Sequence, residues 1–279
     1  MQSLVIKKEA ELKDYFSTTA NPKELPVHFL YEKSLEVPNP SKKLPSITTI
    51  YEQMITAVKK VKANPITKIY TANSVIGEEK EGKEYSIITP KFQIELLMSD
   101  TPVKVNESQL KIVGTFYYKN ENTLEINIAY SEHILKCSNG LIVSENIIDK
   151  SSTISRKMGF EKLLNSFVND FSIEQASEIL LKYNKDLDMY ISEKEEKEIL
   201  GDLLRKTHTK EHVVDSNILL AAAKYGVSPE NPFHSKEGRT MWDFLQDFTN
   251  FMHTTEISKH IQKHTKLTDY FQEVSKKMK

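Results

Sequence analysis

Two-residue alternation of apolar and polar side chains from Ile66 to Ile148, then helical periodicity from Asp149 onward, predicts an α+β fold. The expected form is an antiparallel meander of about four or five strands in the first half, packed against helices, with an all-helical C-terminal half. A third observation favours antiparallel pairing: the connections between candidate strands are short turns, and parallel crossovers need helices between them.

Residues 3–17 read as a helix, with Leu4, Leu12, Tyr15 and Phe16 set among lysines and glutamates. Pro22, Pro26, Pro38, Pro40 and Pro45 then block helix and inner strand alike, which predicts an extended arm or a wrapping loop. Ser46 caps the next expected helix, Ile47 to about Lys62, in which Ile50, Met54, Ile55, Val58 and Val61 recur at helical spacing before Pro65. Expected strands are Ile66–Ile76, Tyr85–Met98, Leu110–Tyr118, Leu124–Tyr130 and Ile134–Val143, with a tight connection at Asn120–Asn122. In the second half, Arg156–Phe171 is one candidate helix, and Ser172/Gln175 and Ser192/Glu195 match capping boxes that open two more. Asp215–Tyr225 is another, with Gly226 placed for a left-handed C-terminal residue. Val227–Gly238 is the main loop, and two or three helices follow from Thr240 to Lys279. The organisation is therefore 1–65, a helix, proline-rich arm and second helix; 66–150, the sheet; and 151–279, helices packed on it as one large domain.

Composition excludes several classes of function. At 279 residues, with 39% hydrophobic and 28% charged side chains, the chain is globular, and no apolar run is long enough for a membrane span. The apolar run Leu4–Ile6 is too short and too closely followed by charge for a signal-peptide core, and one cysteine builds neither an intramolecular disulfide nor a thiolate zinc site. A cytoplasmic location is expected. Net charge is −1, and Arg156, Arg205 and Arg239 are the only arginines among 38 basic residues. Lysine meets phosphate as a point charge, whereas reading guanine edges favours arginine, so sequence-specific DNA reading is disfavoured. There is no glycine-rich phosphate loop, nucleophile elbow or kinase landmark, and neither an enzymatic activity nor a cofactor is expected.

The segment Cys137-Ser138-Asn139-Gly140-Leu141, followed after about a dozen residues by Ser155-Arg156-Lys157, resembles the phage/plasmid-like protein family of unknown function. A second landmark, a helix carrying Trp242 and ending Phe248-Thr249-Asn250, is similar to the same family's C-terminal region. Lys157 stands where the family's pattern has histidine, and Asn250 where it has an acid. What the resemblance implies is a protein of phages, plasmids or related mobile elements in a bacterial host, with no agreed enzymatic activity. Read physically, Cys137 is a small core residue and Asn139-Gly140 tolerate a turn or bulge. A nucleophilic Cys137 lacks a base, because His133 on the same strand face lies about 13 Å away at ~3.3 Å per residue.

Three other constellations have two readings each. His208, Glu211 and His212 fit the inverted zinc-protease spacing, yet Arg205, Lys206 and Lys210 around them suit an exposed helix end and repel a dication; no metal is expected there. His253, His260 and His264, with Glu256, share a helix face, and a structural histidine stripe is favoured over a metal site. Lys259, Lys263, Lys266, Lys276 and Lys277, with Tyr270 between them, form either a phosphate-tracking patch with a stacking aromatic or the outer face of a helix docked through Leu267, Tyr270, Phe271 and Val274. Arg156 and Lys157 join the first reading. The expected partners are accordingly single-stranded or non-specific nucleic acid, or else another phage or host protein, and no membrane.

Overall fold

A computed structural model describes residues 4–6, 23–31, 44–60, 64–71, 76–78, 85–87, 91–103, 108–120, 123–134, 142–146, 152–154, 172–209, 211–232, 238–252, 257 and 260–279. The architecture is α+β, as the periodicities require. Among the described residues no helix is long and apolar enough to cross a membrane.

The larger sheet is wholly antiparallel. It contains β2 (Lys23–Leu25), β3 (Pro65–Thr71), β6 (Lys91–Val103), β7 (Ser108–Asn120), β8 (Thr123–Ile134), β9 (Ile142–Asn146) and β10 (Ser152–Ile154). Its order is β10-β8-β7-β6-β3-β2, and β9 pairs with β8 beside β10, at the opposite end of the same edge. β7 and β8 pair up to Asn120↔Thr123, which is the tight connection expected at Asn120–Asn122. Leu124–Tyr130 is part of a longer strand that runs on to Ile134. Pro65 sits at a strand start, where its missing N–H costs least. A smaller sheet pairs β1 (Leu4–Ile6) and β4 (Ile76–Glu78) with β5 (Tyr85–Ile87). The expected N-terminal helix is thus corrected over Leu4–Ile6: Val5 and Ile6 are β-branched, and antiparallel pairing with Tyr85–Ile87 settles the segment as strand. Ile76 likewise belongs to β4 and not to the end of β3.

Side-chain alternation divides the larger sheet into two unlike faces. One carries Ile69, Phe92, Ile94, Leu96, Met98, Leu110, Ile112, Phe116, Leu124, Ile126 and Ile128, all buried. Helix α1 (Ile47–Lys60) lies over it with Ile47, Ile50, Met54, Ala57 and Val58 inward. Gly114 has no side chain because a Cβ there would lie 3.2 Å from the Met54 methyl and 2.8 Å from the Phe116 ring. Tyr118 donates from its hydroxyl to the Pro45 carbonyl at 2.8 Å, fixing the approach to α1.

The helical half comprises α2 (Ile173–Leu187), α3 (Glu193–Thr207), α4 (Ser216–Gly226), α5 (Met241–Met252) and α6 (His260–Met278). Its apolar faces join the same continuous core as the sheet. Ser172 caps α2 by accepting from the Gln175 N–H at 3.2 Å. At α3 the capping box is complete: Ser192 Oγ accepts from the Glu195 N–H at 3.3 Å, and the Glu195 carboxylate accepts from the Ser192 N–H at 2.6 Å. Ser192→Ala is expected to lower stability by about 1 kcal/mol in urea denaturation. Helix α5 is the axis of this half. Trp242, Leu245 and Met252 are buried, and Phe244 and Phe248 meet Phe271 of α6 edge to face, with centroids 5.7 and 5.5 Å from it.

A buried ionic knot ties α3, α5 and the loop after α4 together. Arg239 lies in β12 (Arg239–Thr240), which pairs with β11 (Tyr190–Ile191). Its guanidinium donates bidentately to Glu196 at 2.8 and 2.9 Å and to Asp247 Oδ2 at 2.5 Å, while stacking on Phe244 at 4.7 Å. Asn231 Nδ2 donates to the other Asp247 oxygen at 2.7 Å. Gly226 corrects the expected helix ending: the cap falls on Val227 at φ −99°, and Gly226 itself stays helical. Its glycine is required by packing, since a Cβ there would stand 2.7 Å from Asp247 Oδ2 and 3.0 Å from an Arg239 nitrogen. Gly238, at φ +100°, makes the left-handed turn that delivers Arg239.

Candidate binding site on the polar face of the sheet

The second face of the larger sheet is polar, and this is what strand register alone produces. Odd-numbered residues of β6, β7 and β8, with even-numbered residues of β3, share it in rows: Lys91, Tyr117, Glu125; then Tyr70, Gln93, Thr115, Asn127; then Lys68, Glu95, Val113, Ala129; then Ile66, Leu97, Lys111, Ser131. Strands spaced about 4.8 Å apart make this a patch roughly 15 Å wide.

The centre of the patch is closed. Val113 and Ala129 are covered by Ile261 of α6, and Gln93, Thr115, Lys111 and Ser131 are buried. Glu95 accepts from Gln93 Nε2 at 2.7 Å and from Lys111 Nζ at 3.2 Å. Burial alone pushes its carboxyl upward, but the Lys111 charge, the His260 imidazole and the two hydrogen bonds outweigh it and hold the group below the usual carboxylate range. The cluster is therefore an internally compensated charge pair under the first turns of α6. His260 and His264 stand there one turn apart, rings 4.5 Å between centroids.

The margin of the patch is more open. Lys68 is exposed, and Tyr70, Tyr117, Asn127 and Glu125 are half-buried. Lys91 lays its ammonium 4.6 Å from the Tyr117 ring centre, a cation–π contact at the hairpin end of the sheet. The Tyr70 hydroxyl is pushed up strongly, by burial first and then by Glu95 and Glu24, so it stays a neutral donor across the physiological range. Lys68, Tyr70 and Tyr117 reach solvent along this margin, whereas Lys91 is buried.

The C-terminal patch expected from sequence is largely spent on the protein's own body. Lys263 is paired with Asp215, and Lys266 Nζ reaches the Glu211 carbonyl at 3.4 Å. Tyr270 is corrected from stacking aromatic to core residue: it is buried against Phe271, and its hydroxyl donates to Asp202 Oδ2 at 3.0 Å. The docked reading of this helix, through Leu267, Tyr270 and Phe271, is the one observed. Lys276 and Lys277 face outward from its last turn. Trp242 is a core residue of α5.

The zinc-protease spacing does not fall on a helix. α3 ends at Thr207, His208 caps it, Glu211 pairs with Lys206, and both ring nitrogens of His212 are engaged by Thr207 and Asp215. Among the described residues no three His, Cys, Asp or Glu side chains converge to hold a metal. Cys137, Ser138, Asn139, Gly140, Arg156, Lys157, Lys259, His253 and Glu256 lie outside the described residues.

Sequence reasoning missed Glu95, Lys111 and the Lys68–Tyr117 margin. The signal was present: Lys91, Gln93 and Glu95 alternate with Phe92, Ile94 and Leu96, so one whole strand face is polar. No protein-family model, no curated protein and no solved structure matches this chain. The likeness of Cys137–Leu141 to the phage/plasmid-like family therefore rests on its motif alone.

Proposed function

We propose that this chain is a non-enzymatic accessory protein of a phage, plasmid or related mobile element, working in the bacterial cytoplasm and binding nucleic acid without sequence specificity. The observation that carries the reading is the exposed Lys68 standing with the half-buried Tyr70 and Tyr117 along the open margin of the polar sheet face. Ammonium groups follow phosphates, and tyrosine rings stack on bases of any identity. Lys276 and Lys277 extend the same chemistry at the end of α6. The scarcity of arginine argues for backbone contact without base readout. The mobile-element part of the proposal rests on the Cys137–Leu141 motif.

Titration of labelled single-stranded and duplex oligonucleotides at two salt concentrations tests it. Single strands should bind at low salt with a clear salt slope. Lys68→Glu should reduce that slope by about 0.7, the loss of one phosphate contact. Tyr70→Ala should cost about 1–3 kcal/mol of affinity with the slope unchanged. Absence of binding at low salt, or binding without a salt slope, sinks the proposal.

A second reading, a protein-interaction or virion-associated module, is favoured by Leu220 and Val227. They lie seven residues apart on the outer side of α4 and its cap, 60% and 75% exposed. A stoichiometric partner in pull-downs that is lost in Leu220→Lys, together with failed nucleic-acid titrations, would establish it instead.

A further inference from the structure

The corner where α3, α4 and α6 meet is held by a histidine whose two ring nitrogens both face acceptors. His212 Nδ1 lies 2.9 Å from the Thr207 carbonyl oxygen, and Nε2 lies 2.8 Å from Asp215 Oδ1. A carbonyl oxygen has no proton to give. Neither has Asp215: burial opposes its charge, but hydrogen bonds from Lys263 and His212, and the charges of both, hold its carboxyl below the usual range. Both acceptors are satisfied together only when both ring nitrogens carry a proton, as in the imidazolium.

Two further observations show that the corner is built around this ring. His212 has φ +37°, the one left-handed non-glycine backbone among the described residues, and such a conformation persists only where its surroundings hold it. Asp215 occupies the N-cap position of α4 without capping that helix; its carboxylate serves His212 and Lys263 instead. The other charges at the corner are mostly committed. From α3, Arg205 pairs with Asp202, and Lys206 pairs with Glu211 while lying 5.8 Å from the Tyr270 ring centre. From α6, Lys266 reaches the Glu211 carbonyl, and His208 stands at the α3 cap.

We propose that His212 is a proton-dependent clasp: the protonated ring ties the end of α3 to Asp215 at the start of α4 and, through Asp215, to Lys263 of α6, and the neutral ring releases one of its two acceptors. A neutral imidazole keeps a single N–H, so one nitrogen lone pair is left facing an oxygen lone pair. The clasp is closed with the ring doubly protonated and opens when, with rising pH, the ring gives up one of its two N–H protons. Lys263 lies two residues from Ile261, which covers the polar sheet face, so the last link of the clasp joins α6 beside that cover.

The test is residue-resolved amide exchange on the full chain from pH 5 to 8.5, corrected for intrinsic exchange, together with ring 15N shifts of His212. Protection of the amides of residues 219–222 and 264–267, the first hydrogen-bonded turns of α4 and α6, should fall about three- to tenfold toward high pH, the half-exposed ring delivering less than a fully buried charged hydrogen bond. Protection within α5 should not follow. His212→Asn, which suits left-handed backbone and cannot titrate, should abolish the pH dependence at that corner. Unchanged protection across the range, or the same pH dependence in His212→Asn, overturns the proposal. Should the variant fail to fold, the wild-type ring decides. One N–H bond surviving at pH 8.5 with local protection lost supports the clasp; deprotonation with protection intact overturns it.

Discussion

Asp247→Ala should destabilise the chain by about 3–5 kcal/mol, the range for removing one partner from a buried ion pair. The side chain is completely buried, and its two oxygens take hydrogen bonds from Arg239 and Asn231. Truncation strands the Asn231 amide and leaves Arg239 with Glu196 alone, in a space that Gly226 had vacated for the carboxylate. Urea denaturation reads the loss directly. Asp247→Asn keeps the shape and should cost about 1–3 kcal/mol, since one donor then meets another.

The same residue sets a pH dependence. Burial pushes the Asp247 carboxyl up to about 6; Arg239 and Asn231 pull against it, and Glu196, sharing the guanidinium, adds to the rise. The folded chain thus holds this proton more tightly than the unfolded chain, whose aspartates titrate near 3.9. The contribution is fully present below that unfolded value and is lost as pH rises through about 6. Asp247→Asn should remove the component of stability that declines between about pH 4 and 6; a variant with the wild-type profile would show that Asp247 does not titrate there.

Phe248→Ala should be of similar size, about 3–5 kcal/mol, because the phenyl group is fully buried and its neighbours cannot close the gap. Its ring sits edge-on to both Phe244 and Phe271, which are themselves 5.7 Å apart, so each ring is held by the other two. A double-mutant cycle with Phe271→Ala should show coupling of about 0.5–3 kcal/mol. Near-UV circular dichroism should lose intensity well before helix content falls. Strict additivity of the two substitutions would mean that the rings pack independently.

Sheet and helices were legible in the sequence because periodicity is a local signal, and β7, β8, α1 and α5 are strongly periodic. The N-cap at Ser172 and the capping box at Ser192 were legible for the same reason, each being written within four residues, although Gln175 does not return the hydrogen bond that a full box at Ser172 would need. Leu4–Ile6 was misread because its strand character depends on Tyr85–Ile87, some eighty positions away. Gly226 was assigned the role glycines usually fill at helix ends, whereas its absent side chain answers to Asp247, which no local rule reveals. Tyr270, Lys263 and Lys266 could be read as a recognition patch or as a docked helix, because charge and aromaticity show in sequence whereas the partners that occupy them, Asp202, Asp215 and Glu211, are brought there only by folding. The polar sheet face was visible as alternation but needed the register of four strands to become a surface.

The pairing of β11 with β12 also has a consequence for how the chain is made. Glu196 leaves the ribosome 43 residues before Arg239, the cation that neutralises it in the finished fold. At roughly 5–20 residues per second that interval is about 2–9 s. During it, α3 and α4 exist without the strand that will clamp them, and Glu196 remains hydrated. Until Gly238 has turned Arg239 inward, the Glu196 carboxylate has no buried cation to meet and the ionic knot of the helical half stays incomplete. A ribosome stalled before that residue would hold a nascent chain whose sheet can be complete while its helices still wait.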